Sequence, residues 1–191
     1  MTLLLNDHFS GYLRGRSIVL VGMMGAGKTT VGRKIASILK MPFIDSDLEI
    51  QTASRMSIED LFARYGEDEF RSLERRVIHR ILQKDGPLVL ATGGGAFQDQ
   101  ITRETTRKTG VTVWLRGDLE VLLKRVSRCS HRPLLRSDNP REVLVSLMMQ
   151  REPNYALADV TIHTADQPLS TVVDCTLKGL YRHLGLHVRP D

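Results

Sequence analysis

The stretch Ser17-Ile-Val-Leu-Val21-Gly22-Met-Met-Gly25-Ala26-Gly27-Lys28-Thr29 decides the fold. Its first five residues form a short apolar run, rich in β-branched side chains and stopped by glycine, which is the pattern of a buried strand. From Lys28 to Leu39 the period changes, and Val31, Ile35, Ile38 and Leu39 fall on one side of a helix. Between the two, Gly22 to Thr29 fits G-x-x-x-x-G-K-[ST], a phosphate-binding loop when it joins a strand to a helix. Glycines let such a loop turn its backbone N–H groups toward phosphate oxygens, and the helix N-terminus adds about half a positive charge there. The pattern predicts a bound nucleoside triphosphate, with Lys28 at the β- and γ-phosphates and the Thr29 hydroxyl offered to Mg²⁺. It is silent on what receives the phosphate.

Outward from this loop, strands alternate with helices. Pro42–Asp45, Leu88–Ala91, Val111–Leu115 and Asp159–His163 read as further strands. Ser57-Ile-Glu-Asp60 is a variant capping box ahead of one helix, and a longer helix is expected from about Asp68 to Gln83. Further helices are expected near 98–108, over Asp118–Val126, after Asn139-Pro140 and over about Pro168–Leu184. This alternation predicts a three-layer α/β fold, a five-stranded parallel sheet with helices on both faces. Ligands of such sheets collect outside the carboxyl ends of the strands, where the chemically suggestive residues of this chain all fall. Residues 127–139 are polar, Arg-rich and broken by proline, as a loop or flap would be.

Composition narrows the class. The chain has 191 residues, 41% hydrophobic and 26% charged, which suits one soluble globular domain and excludes collagen, coiled coil and disorder. No apolar run approaches the roughly 18 residues of a membrane span, and Leu3–Leu5 is too short for a secretory core. Two cysteines, Cys129 and Cys175, build no disulfide framework and six histidines complete no zinc pattern, so a cytoplasmic setting is expected. The formal charge is +5, and residues 103–136 carry more than all of it, with nine Lys/Arg against three Asp/Glu. A nucleic-acid binder would interleave such cations with aromatics, whereas this segment holds only Trp114, inside an expected strand. The excess ends in Arg125, Arg128, Arg132 and Arg136, the cations of an expected lid over phosphate.

Strand three ends without an acid, so the carboxylates must come from elsewhere, and Asp45-Ser46-Asp47 at the end of strand two is the obvious source. We assign Asp45 to Mg²⁺ and Asp47 to the acceptor hydroxyl, two roles that could be exchanged on sequence grounds. Asp47 could also serve merely as the cap of a helix starting near Leu48. Gly93-Gly94-Gly95 can form a nest of N–H groups or admit a substrate close to the main chain. Arg71 and Arg151, if they converge, suit a small acidic acceptor, because a guanidinium fork matches a carboxylate. Phe62 and Phe70 read as core.

Together these motifs resemble the shikimate kinase family, a branch of the nucleoside-monophosphate-kinase-like P-loop enzymes. The resemblance spans residues 17–184 and rests on Gly22–Arg33, Asp45-Ser-Asp47, Gly66-Glu-Asp-Glu-Phe-Arg71 with Glu74, Gly93-Gly-Gly95, Arg132-Pro-Leu-Leu135, and Arg151 followed by Pro153 and Tyr155. It implies ATP-dependent phosphorylation of shikimate to shikimate 3-phosphate, with Mg²⁺, in aromatic amino-acid biosynthesis. It makes Gly25, Ala26, Gly27, Lys28, Thr29 and Thr30 the nucleotide cradle, flanked by Arg125 and Gln167 at the adenine, and Arg132 the lid arginine. Thr29 and Asp45 would hold the metal; Asp47, Arg71, Gly94 and Arg151 would hold shikimate; Glu74 would hold Arg71. The catalytic set would be Asp47, Lys28 and Arg132. It also implies a substrate-binding part near 46–75 and a lid near 125–139 within a single domain over 17–184, between an N-terminal extension, 1–16, and a tail, 185–191. A monomer acting on small molecules, without nucleic acid or membrane, is expected. A related small-molecule kinase, such as a gluconate kinase, shares the cradle, but a carboxylate clamp of Arg71 and Arg151 together with Asp47 favours shikimate. A non-catalytic nucleotide-binding protein would have lost Lys28, Asp47 or the lid arginine, and all are present.

Overall fold

The computed structural model describes residues 9, 11–83, 86–127 and 139–186. Strand β1 (Ser17–Val21) is followed by α1 (Lys28–Leu39), β2 (Phe43–Asp45), α2 (Ser46–Ser54), α3 (Ile58–Leu82) and β3 (Val89–Ala91). A short 3₁₀ turn (Ala96–Gln98) leads into α4 (Gln100–Thr109), β4 (Gly110–Gly117), α5 (Leu119–Val126), α6 (Pro140–Tyr155), β5 (Val160–Thr164) and α7 (Leu169–His183). The five strands form one sheet in the order β2-β3-β1-β4-β5, and all four neighbouring pairs are parallel. Strand β1 lies centrally, with Ile18 opposite both Val89 of β3 and Val111 of β4. Its residues are buried throughout, which is why its run reads as continuously apolar. The order reverses at β1, so the crevice that such sheets open at their switch point lies directly above Gly22–Thr29.

Each expected strand is present within one or two residues, and the helix starts follow their expected caps. Ser57 accepts a hydrogen bond from Asp60 N–H at 3.0 Å, and Asn139 accepts one from Glu142 N–H at 3.3 Å ahead of Pro140. The two helices expected between Ser57 and Gln83 are joined through Gly66, whose φ of 80° and ψ of 175° break the helical path. The kink folds the first part of α3 back, so that Phe62 meets Phe70 with ring centroids 4.4 Å apart. That return shapes the acceptor side of the site.

The stretch before β1 contributes to the core. Phe9 and Leu13 are buried, and Phe9 packs edge-on against Tyr181 of α7 at 5.0 Å. Two such apolar side chains are worth roughly 1.5–3 kcal/mol each when removed from water. Among the described residues, no helix is long and apolar enough to cross a membrane.

Much of the basic segment is tied into the fold. Arg103 donates to Phe97 O at 2.9 Å and Gln98 O at 2.7 Å, Arg116 pairs with Glu152 at 3.1 Å, and Lys124 pairs with Asp166 at 2.8 Å. Arg107 and Lys108 occupy the last turn of α4, where cations suit the helix dipole.

Candidate active site

The loop after β1 turns through three glycines of positive φ, Gly22, Gly25 and Gly27. At Gly22 a side chain is also excluded by space, since a Cβ would lie 2.5 Å from Leu115 O. Lys28, in the first turn of α1, is buried and bends back to donate to Gly22 O at 2.8 Å and Met23 O at 2.9 Å. The ammonium therefore spans the mouth of its own loop. Thr29 donates its hydroxyl to Asp45 Oδ2 at 2.7 Å, which leaves the Thr29 oxygen lone pairs open to a cation.

Asp45, not Asp47, is the cap of α2. Its Oδ1 accepts from Asp47 N–H at 3.0 Å and Leu48 N–H at 3.4 Å, and the helix begins at Ser46 rather than near Leu48. With its two oxygens so divided, Asp45 joins the helix start to Thr29. Asp47 lies inside the helix it was expected to cap, and its Oδ1 approaches Gly93: a Cβ there would sit 2.7 Å away and would collide with Glu74 Oε1 as well.

The triple glycine gathers the remaining charges. Gly95 lies against the Arg71 guanidinium so closely that a methyl group would overlap it, while a Cβ on Gly94 would lie 3.8 Å from an Arg151 guanidinium nitrogen. The same Gly94 position is 3.4 Å from Met24 N and 3.7 Å from Gly22 O, so the acceptor-side turn abuts the phosphate loop. Ser46 anchors the turn by accepting Gly93 N–H at 3.1 Å. The sequence reading brought Asp47, Arg71, Gly94 and Arg151 to one place, and the structure gathers all four around this turn.

Arg71 donates to Glu74 Oε2 at 2.7 Å and to Glu67 Oε1 at 3.1 Å, one turn either way along α3. Its guanidinium also lies 5.2 Å from the Phe70 ring centroid and 5.7 Å from that of Phe62. Phe70 is buried as expected of core, yet both rings also serve as walls for Arg71. Burial acts against the Arg71 charge, but Glu74 and Glu67 more than offset it and hold its pKa above the ordinary value. Glu74 is buried, and its Oε1 has no hydrogen-bond partner among the described residues. Burial pushes its pKa up to about 7, Arg71 opposing the rise and Asp47 adding to it.

Arg151 is buried at the end of α6, its carbonyl held by Gln98 Nε2 at 3.4 Å, and Gln98 Oε1 in turn accepts from Asn154 Nδ2 at 2.7 Å. Ser46, Gln98, Asn154 and Tyr155 support the site without having been singled out as site residues. For Tyr155 the i, i+4 spacing from Arg151 was a usable clue, whereas nothing in the sequence marks Gln98. On the nucleotide side, Arg125 ends α5 and donates to Gly25 O and Ala165 O, both at 3.4 Å. It thus reaches the β5–α7 connection, where Gln167 donates to His163 O at 3.3 Å. Arg132, with Arg128, Cys129 and Arg136, lies outside the described residues.

The raised pKa of Glu74 carries a sign. An acid that holds its proton more tightly folded than unfolded contributes stability in full below its ordinary pKa of 4.5, and that contribution is lost as pH rises toward about 7. Glu74→Gln removes the titration. The thermal midpoint of the variant is expected to fall less than that of the parent between about pH 5 and pH 7.5. Equal slopes for the two proteins would contradict the assignment.

The shikimate kinase family model matches residues 24–180. A shikimate kinase of Mesorhizobium japonicum is 53% identical over 176 residues, covering 92% of this chain and 86% of the relative. Among solved structures, that of shikimate kinase from Acinetobacter baumannii in complex with shikimate is 38% identical with a TM-score of 0.83, covering 92% of this chain and 96% of that one. A gluconokinase from Sinorhizobium meliloti 1021 has a TM-score of 0.63 at 22% identity over 90% of this chain and 94% of its own, a likeness of fold alone. A single α/β architecture thus carries both kinds of kinase, and it is the family model and the relatives at high identity that decide between them: this chain belongs to the shikimate kinase family.

Proposed function

We propose that the chain transfers the γ-phosphoryl group of ATP to the 3-hydroxyl of shikimate, giving shikimate 3-phosphate and ADP on the way to chorismate and the aromatic amino acids. As a member of the shikimate kinase family it is an ATP-dependent phosphotransferase. The observation that carries the residue-level reading is the convergence of Asp47, Arg71 and Arg151 on Gly93–Gly95, a turn that itself touches the phosphate loop. Two guanidinium groups side by side fit a carboxylate, and a carboxylate close to them fits hydroxyls.

In this reading Arg71 and Arg151 clamp the shikimate carboxylate, with the Gly94 peptide beside them. The clamp turns the ring so that its hydroxyls meet Asp47, which accepts the hydrogen bond of the attacking hydroxyl and directs its lone pair at the γ-phosphorus. The acceptor oxygen–phosphorus bond forms as the bond from the γ-phosphorus to the bridging oxygen breaks, ADP keeps that electron pair, and the hydroxyl proton leaves along its hydrogen bond to Asp47. Lys28 exchanges the carbonyls of Gly22 and Met23 for the β- and γ-phosphate oxygens, stabilising the charge that develops there. Gly25–Thr30 hold the phosphates, Arg125 and Gln167 border the adenine, and Arg132 supplies the lid cation that the family pattern assigns to it.

Mg²⁺ fits the donors present. Thr29 Oγ1 and Asp45 Oδ2 would offer it two hard oxygens, and no group of three or more metal-binding side chains exists among the described residues. That matches an ion held by one or two protein oxygens together with phosphates and water. When bound, it neutralises charge on the β- and γ-phosphate oxygens. The enzyme acts as a cytoplasmic monomer in this reading, with ATP and shikimate as its partners.

Release of ADP measured with shikimate, quinate, gluconate and water alone tests the acceptor. Shikimate is expected to drive turnover far above the water rate, and equal or greater turnover with gluconate would overturn the reading. Asp47→Asn is expected to leave ATP binding intact and to lower turnover by about 10²–10⁴-fold. Unchanged turnover would remove Asp47 from its role.

A further inference from the structure

Tyr155 ends α6 one turn beyond Arg151 and is fully buried. Its ring packs against Trp114 of β4, centroids 5.8 Å apart. A slot of that kind would accept phenylalanine, and a hydroxyl buried there costs dehydration unless it is bonded. The hydroxyl is bonded: it donates to Gly94 O and lies 3.8 Å from Met23 Sδ in the phosphate loop. The neighbouring carbonyls of the turn are served by the chain itself, Gly93 O by Ala96 N–H at 3.2 Å and Gly95 O by Gln98 N–H at 3.0 Å. At Gly94 the donor comes from α6, the helix that also carries Arg151.

We propose that Tyr155 is a positioning residue for the acceptor, its hydroxyl fixing the Gly94 peptide so that this peptide and Arg151 face a single acceptor carboxylate. The inference rests on the acceptor reading given above. Arg151 and Tyr155 leave the same face of α6, so the helix sets the guanidinium and the Gly94 carbonyl in one frame. The backbone of that helix is held in turn through Gln98 and Asn154. In the phosphate loop the hydroxyl touches only the Met23 side chain among the described residues. Burial pushes the Tyr155 pKa up to about 12, with Arg151 opposing, so the phenol remains a donor across the working range. The cradle bonds of Lys28 and Thr29 do not pass through Tyr155. The hydroxyl should therefore be felt in acceptor binding and not in nucleotide binding.

The test compares Tyr155→Phe, which keeps the ring and removes the hydroxyl, with Trp114→Phe, which disturbs the packing and keeps the hydroxyl. Steady-state kinetics with shikimate and ATP are measured beside thermal midpoints. Tyr155→Phe is expected to raise the KM for shikimate about tenfold, with kcat and the KM for ATP changed less than about twofold. Trp114→Phe is expected to lower the midpoint while leaving the KM for shikimate within about twofold of the parent. An unchanged KM for shikimate in Tyr155→Phe, an equal rise in the KM for ATP, or the same rise in Trp114→Phe would each overturn the inference. Recovery of Tyr155→Phe only as unfolded protein would overturn it too, since the hydroxyl would then serve the fold. Failure of the parent to turn over shikimate would instead refute the proposed function.

Discussion

Three consecutive residues without side chains, Gly93, Gly94 and Gly95, are the constraint on which the site depends. Side chains there would occupy the space of Glu74 Oε1 and Asp47 Oδ1 at the first position and of the Arg71 guanidinium at the third. The requirement is for room more than for unusual backbone angles: Gly95 has a φ of −93°, which any residue adopts. Because the turn has no width, side chains from α2, α3 and α6 can converge on it while it rests against the phosphate loop. The donor and acceptor halves are brought together by the absence of atoms.

That convergence places charge where water is scarce, and the structure meets the difficulty by division of contacts. Asp45 spends one oxygen on the N-terminus of α2 and the other on Thr29, so the carboxylate and the start of the helix stabilise each other. Arg71 lies between Glu67 and Glu74 and against two aromatic rings, which fixes the direction of its fork. Glu74 carries the cost, with one oxygen on Arg71 and the other, among the described residues, unpartnered in the interior. A site preorganised in this way has less to rearrange when an anionic acceptor arrives.

The parts of this arrangement legible in the sequence are those with local signatures. The apolar run before Gly22, the change of period after Lys28 and the caps Ser57 and Asn139 all rest on neighbours in the chain, and each is found where it was expected. Asp47 as a helix cap was the wrong alternative because the helix starts two residues earlier, where Asp45 at the strand end caps it through the amides of Asp47 and Leu48. The return of Phe62 onto Phe70 and Arg71 was hidden because Gly66 looks the same in a loop as at a kink. The Tyr155–Gly94 bond joins residues 61 positions apart, and the packing of Phe9 on Tyr181 spans most of the chain. Neither leaves a periodic trace. Gly93–Gly95 read in the sequence as a nest or as room for a substrate, but that Asp47, Glu74 and Arg71 close on this room has no local signature.

Gly95→Ala tests the central claim most directly. The atoms that would meet the added methyl are the far end of the Arg71 side chain, so the backbone can keep its path while the guanidinium is displaced. Titration calorimetry with shikimate and, separately, with a non-hydrolysable ATP analogue reads the two halves of the site. Shikimate affinity is predicted to fall at least about tenfold, while affinity for the analogue and the thermal midpoint stay near those of the parent. Undiminished shikimate affinity in a folded Gly95→Ala protein would contradict the account.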